Sequence, residues 1–379
     1  MKIHRLVPVL LAATLTLTLA CSVQAQVSFA PPQLLPVGPQ LVSLVTGDLD
    51  GDGDLDLASC YGPYGGTGVV AIAKNDGNGT FTLASLINAN RDPQPLAIGD
   101  LDGDGDLDLV KGESLLFNNG DATFGPVRGV PSTGDPGDVT LGDLDNDGDL
   151  DLVIGNGGDY YARDLSVLFN NGQGSFGGER KPFVGGRSQG VITGDLDGDG
   201  DQDIASANGG GFYYPNNELV TLTNQGITNP PTRQTYTVDT QPYAVTAGDL
   251  DGDGDLDLVT SNGGSASSAS NNVSVLFNQG NGTFAPSLEV RTGNSPVDVK
   301  LADFDGDSQL DIITANQGAY TVTVLSNQGL QPPLRQDFAV QGFRPYAVAV
   351  GDFNSDGKPD VATANRSSND LSILLNSTP

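Results

Sequence analysis

The chain has 379 residues, with 47 acidic against 17 basic side chains and a formal net charge of −30. Such an acidic balance excludes the positively charged surfaces that nucleic acid and anionic membranes require. With 52 Gly, 23 Pro, no Trp and short apolar runs bounded by turn residues, the composition points to an all-β fold.

Residues 1–25 have the form of an export signal. Lys2 and Arg5 supply the positive start, and Leu6 to Ala20 form an apolar run too short to span a bilayer comfortably. Val23-Gln24-Ala25 provides a small-residue cleavage site ahead of Gln26. A second reading stays open: Leu17-Thr18-Leu19-Ala20-Cys21 resembles a bacterial lipobox, with Thr18 where Leu is usual, and would anchor the protein through Cys21. The expected location is therefore secreted or periplasmic, with a lipoprotein as the alternative. Cleavage after Ala25 also removes His4, the sole histidine, and takes the net charge from −30 to −32. A chain without His cannot build a Ser-His-Asp or Cys-His centre, or a His-ligated zinc or iron site. Cys60, left alone, reads as a small buried residue at a strand end rather than a reactive thiol.

From residue 26 to residue 379 one domain is expected, because a single repeat runs through it. Its first copy is Asp48-Leu49-Asp50-Gly51-Asp52-Gly53-Asp54-Leu55-Asp56, and later copies begin at Asp100, Asp143, Asp195, Asp249, Asp303 and Asp352. The spacings of 52, 43, 52, 54, 54 and 49 residues suit four-stranded propeller blades. Each acidic loop follows a short apolar strand A, such as Ala347–Val350. It precedes a strand B, such as Leu256–Val259. After a variable Gly/Asn/Ser stretch comes an alternating strand C, such as Val273–Phe277, then an Asn-Gly-type turn, and then strand D, opened by residues such as Thr283–Pro286. The seventh copy stops after its strand C at Leu371–Leu375. The segment Val27–Pro31 echoes Gly282–Pro286, so the N-terminal strand is expected to complete the last blade and close a seven-bladed β-propeller.

The loops read D-x-[DN]-x-D-x-x-x-D. Positions one, three, five and nine can direct side-chain oxygens at one centre, position seven can offer its backbone carbonyl, and Gly at position six permits the sharp turn. The expected ligand set is Asp48, Asp50, Asp52, Asp54 and Asp56 in the first loop, and Asp100, Asp102, Asp104, Asp106 and Asp108 in the second. The third has Asp143, Asp145, Asp147, Asp149 and Asp151; the fourth Asp195, Asp197, Asp199, Asp201 and Asp203; the fifth Asp249, Asp251, Asp253, Asp255 and Asp257. The sixth has Asp303, Asp305, Asp307, Gln309 and Asp311, and the seventh Asp352, Asn354, Asp356, Lys358 and Asp360. Six to eight hard oxygen donors suit Ca²⁺, whereas Mg²⁺ prefers fewer carboxylates and more water. The loops hold 32 of the 47 acidic residues, so about seven Ca²⁺ would bring −32 to −18. An EF-hand is excluded, because position twelve is Ser59 in the first loop and Lys111 in the second instead of Glu. Ser308 at position six of the sixth loop, and Asn354 with Lys358 in the seventh, mark those two sites as the weaker.

These loops and their flanks resemble FG-GAP (VCBS-type) repeats, the calcium-binding blades of integrin α-subunit propellers and of many secreted bacterial proteins. The resemblance spans about residues 27–376 and implies the propeller fold and calcium. It leaves function open, because such propellers carry adhesion modules, lectins and polysaccharide lyases alike. The integrin likeness extends to the blades only, and no inserted adhesion domain, leg domain or transmembrane tail is expected.

Propeller geometry puts the A–B loops on one face and the B–C loops on the other. Seven of the ten Tyr are expected in the B–C stretches: Tyr61, Tyr64, Tyr160, Tyr161, Tyr213, Tyr214 and Tyr320. Arg163, Arg187 and Arg344 are expected on the same face. Tyr among Gly, Asn and Ser is the composition of recognition loops, and Arg binds carboxylates. The expectation is a monomeric binding or adhesion module for a glycan or an extracellular protein. A carbohydrate-active lyase or hydrolase is the alternative, with Asp92, Asp135, Asp159 and Asp164 as acids on that face, and simple packing of the Tyr is a third reading.

Overall fold

The computed structural model describes residues 26–379 except 64, 90–93, 133–134, 158–162, 212–213, 227–229, 265–269 and 329–330; the expected export segment lies outside the described residues. All regular structure among the described residues is β-strand. It forms seven four-stranded antiparallel sheets, six of them built from four strands consecutive in sequence. The first blade runs Ser43–Gly47, Asp56–Tyr61, Val69–Asn75 and Phe81–Asn88, here strands A to D. The A strands of neighbouring blades touch all the way round, the seventh meeting the first, so the ring is closed about a channel of 380 Å³ lined by every A strand. No helix among the described residues is long and apolar enough to cross a membrane.

The seventh blade takes Pro345–Gly351, Asp360–Asn365 and Asp370–Leu374 from the C-terminal end, and its outer strand is Gln33–Pro36. Gln33 pairs with Ile373 and Pro36 with Asp370. The segment expected to close the ring, Val27–Pro31, makes a bridge from Phe29 to Asn376, and the strand proper begins two residues after it. Pro31 and Pro32 explain the shift, since neither can donate to a ladder. Val27 is buried, and Phe29 meets Phe304 and Phe338 edge-on at centroid distances of 6.1 and 4.8 Å, so the closure is a packed seam.

Seven apolar clusters hold the ring together, each shared by two adjacent blades. Strand B is buried on both faces, as in Asp257–Asn262, which is why it reads as an apolar run rather than an alternation. Gly47 ends strand A where a Cβ would sit 2.7 Å from the terminal methyls of Ile98 and Leu107 of the next blade, so a larger residue there would make those side chains shift. Cys60 is a free, fully buried thiol in one of these clusters.

Candidate metal centres and the opposite face

Each acidic loop joins strand A to strand B at the same end of its blade. The carboxylate at position one caps the turn: in the first loop Asp48 accepts the N–H groups of Gly51 at 2.8 Å and Gly53 at 3.0 Å. Asp52 at position five accepts the N–H of Asp54 at 3.0 Å. Both even turn positions need positive φ, +74° at Gly51 and +95° at Gly53. Position four tolerates Asn146 at +57° and Ser355 at +58°, and position six tolerates Ser308 at +70°. Sequence reasoning recognised the demand at position six and missed the one at position four.

Carboxylate oxygens converge within 4.8 Å of one another for Asp48, Asp50 and Asp56, for Asp100, Asp102 and Asp108, and for Asp143, Asp145 and Asp151. The same holds for Asp195, Asp197 and Asp199, and for Asp249, Asp251 and Asp257. These groups can hold metal ions. A further fit comes from position three, where Oδ1 of Asp50, Asp102 and Asp145 is buried and accepts no hydrogen bond from the protein. A hard cation at the convergence point satisfies such an oxygen. The side chain at position seven heads elsewhere: the carboxylates of Asp54, Asp106, Asp149 and Asp255 lie against Gly77, Gly120, Gly172 and Gly280 of the C–D turns. Lys358, at position seven of the last loop, donates to the carbonyl of Thr378.

The position-nine aspartates are buried between strands. Burial pushes the carboxyls of Asp56, Asp108, Asp151, Asp257 and Asp360 up to about 6, and those of Asp203 and Asp311 up to about 7, against backbone hydrogen bonds that pull them down. Beside the first loop, Lys74 Nζ lies 2.8 Å from Asp50 Oδ2, and that contact holds the Asp50 carboxyl below its ordinary range.

One set of residues was missed entirely by sequence reasoning. Every blade has an Asn just after strand C or at its end: Asn75, Asn118, Asn170, Asn224, Asn278, Asn327 and Asn376. Its backbone N–H donates to the position-nine aspartate of its own blade, at 2.6–2.8 Å. Its side-chain amide donates to the position-two carbonyl of the preceding blade's loop. The acceptors are in turn Phe353, Leu49, Leu101, Leu144, Leu196, Leu250 and Phe304, at 2.6–3.0 Å. The signal was present in such phrases as Asn170-Asn171-Gly172 and Asn278-Gln279-Gly280, which read only as turns.

On the opposite face the expected contact residues separate. Tyr64, Tyr160, Tyr161 and Tyr213, with Asp92 and Asp159, lie outside the described residues. Tyr214 opens strand C of its blade, Tyr214–Thr223, rather than sitting in a loop. Tyr61 ends strand B and packs its ring over Gly38, where a Cβ would come within 2.3 Å of it; burial raises its hydroxyl pKa. Arg187 spends its guanidinium on the carbonyl of Gly157, with Nε at 2.8 Å. Asp164 accepts from Asn156 at 3.1 Å, while Asp135 and Arg163 are exposed.

Tyr320 does face solvent, at 45% exposure, and its ring meets that of Phe343, 58% exposed, edge-on at 5.8 Å. Arg344 follows Phe343 and is exposed. Its carbonyl accepts the N–H of Arg366, whose guanidinium lies 4.7 Å from the centre of the Tyr346 ring. The Tyr346 hydroxyl is 3.0 Å from that of Tyr243, and both tyrosines line the channel. Aromatic rings and guanidinium groups thus run from the rim of the sixth blade to the axis.

A closed ring of seven four-stranded blades, with an acidic loop at the same corner of each, defines a repeat propeller with candidate metal centres. The chain belongs to the FG-GAP-like repeat family, which matches residues 48–110, 143–206, 195–260, 265–314 and 303–363. No curated protein matches it. Among solved structures it is similar to BBS1N, determined in complex with ARL6DN and soaked with mercury. The identity is 13%, with 93% of this chain and 97% of that chain covered and a TM-score of 0.63. It is also similar to a lectin of Agrocybe aegerita, described as recognising non-reducing terminal N-acetylglucosamine. There the identity is 19%, with 88% and 87% covered and a TM-score of 0.52. At these identities the likeness is one of fold.

Proposed function

We propose that this protein is an exported calcium-binding propeller that recognises a glycan or an extracellular protein through the face opposite its acidic loops. Calcium is the ion the donor set favours: three converging carboxylates in a loop, one of which, at position three, has a buried oxygen without a protein partner in the first three loops. It neutralises the clustered carboxylates and ties strand A to strand B in each blade. The observation that carries the recognition reading is the exposed Tyr320–Phe343 pair beside Arg344. Two large rings held edge-on in solvent contribute little to the core. They present flat apolar faces, and the neighbouring guanidinium binds carboxylates and hydroxyls. The lectin likeness supports a sugar as the ligand.

The test is a glycan array on the calcium-loaded protein, followed by the same array on Tyr320→Ala and Phe343→Ala. The expected result is loss of at least about ten-fold in affinity, the scale of one interface anchor, with the melting temperature unchanged. A lowered melting temperature with binding intact makes the pair a packing element. Unsaturated products released from polyuronides make the same face that of a lyase.

A further inference from the structure

We infer that the seven acidic loops are coupled around the ring through the seven asparagines, so that metal occupancy of one loop sets the order of its two neighbours. The inference rests on the metal reading above and adds a property that no single loop has. Each position-two residue is held in three ways. Its side chain is a buried plug: Leu49, Leu101, Leu144, Leu196, Leu250, Phe304 and Phe353 each join the apolar cluster shared with the next blade. Its N–H donates to the position-nine aspartate of its own loop, as Leu196 does to Asp203 at 2.9 Å. Its carbonyl accepts the asparagine amide of the next blade, as Leu196 does from Asn278 at 2.8 Å. Asn278 in turn donates its N–H to Asp257 at 2.8 Å and its amide to the carbonyl of Leu256, closing its own loop.

The path therefore runs from the position-nine aspartate of one loop, through a backbone segment and an asparagine, to the position-nine aspartate of the next. It repeats seven times and returns to its start, because Asn75 of the first blade holds Phe353 of the seventh. Buried hydrogen bonds of this kind are costly to leave unmade, so a loop that loosens without metal must release a neighbour's amide or drag it along. The asparagines are positioning residues: they hold the aspartate and the loop backbone, and the inference gives them no place on the metal.

Hydrogen exchange read by mass spectrometry, loop by loop, tests this on the full-length mature chain in calcium. Asp197→Ala with Asp199→Ala empties the fourth loop. Exchange is expected to rise about five-fold or more in the third and fifth loops, the lower end of typical site coupling. The first and seventh loops, farthest round the ring, stay at the wild-type rate. A rise confined to the fourth loop overturns the coupling, and so does a uniform rise in all seven. Adding Asn278→Ala is expected to abolish the response of the fifth loop to the emptying of the fourth while the third still responds. Should that variant fail to fold, Asn224→Ala with the third loop as readout serves the same purpose. Elemental analysis of the same wild-type sample separates the two failures: no bound calcium defeats the metal reading, whereas bound calcium with unresponsive neighbours defeats only the coupling.

Discussion

Chelation and pH act on the same buried carboxylates, and their combined effect has a definite sign. The carboxyl of Asp56 is pushed up to about 6 from an ordinary value of 3.8, and Asp203 and Asp311 reach about 7, burial being the main cause in each. A folded-state pKa above the unfolded value means that the metal-free folded chain binds more protons than the unfolded chain between about pH 4 and 7. The contribution of these groups is fully present below the unfolded pKa and is lost as pH rises through the folded one. One shift of that size corresponds to about 3 kcal/mol, and two such loops match the lower end of a domain's net stability of about 5–15 kcal/mol. In excess EDTA the protein should therefore melt several degrees higher at pH 5 than at pH 8. In millimolar calcium the order should reverse, because metal and proton compete for the same oxygens. Circular dichroism melts at the two pH values, each with chelator and with calcium, give the four numbers needed. Chelated curves that superimpose between pH 5 and 8, or curves at pH 8 that ignore calcium, would refute the reasoning.

Other outcomes follow from single residues. Ser308→Gly should raise stability by up to about 1 kcal/mol in a calcium melt, since Ser308 sits at φ +70° where glycine carries no steric penalty. Lys74→Gln should tighten calcium binding at the first loop, measured by competition with a chromophoric chelator, because the ammonium 2.8 Å from Asp50 is then gone. Phe29→Ala should cost about 2 kcal/mol in urea denaturation, somewhat less than a fully buried Phe, by opening the seam it makes with Phe304 and Phe338. An unchanged denaturation midpoint would mean that the N-terminal strand is not what closes the ring.

The parts of this architecture that were legible in the sequence are those written in side-chain chemistry at a fixed offset. The Asp at positions one, three, five and nine recur because the turn and the convergence point demand carboxylates there, so the loops, the blade count and strands A and B could be read directly. The closing strand was found by its echo of Gly282–Pro286, yet its register was not, because Pro31 and Pro32 delay pairing until Gln33. The asparagine ring stayed hidden because its partners are backbone carbonyls 69–82 residues away within the chain, and 278 residues away where the ring closes. A carbonyl has no sequence signature. The tyrosines were the weakest guide: Tyr61 packs over Gly38 and Tyr320 stands in solvent, and nothing local to either residue separates the two roles. Phe343 was overlooked because its place beside Tyr320 comes from a neighbouring connection, between the sixth and seventh blades.

Native mass spectrometry of the mature chain, exchanged into buffer with micromolar free calcium, counts bound ions directly. The account predicts a dominant species carrying about seven Ca²⁺, with the sixth and seventh loops the first to empty on dilution. A dominant species carrying no calcium at all would contradict it.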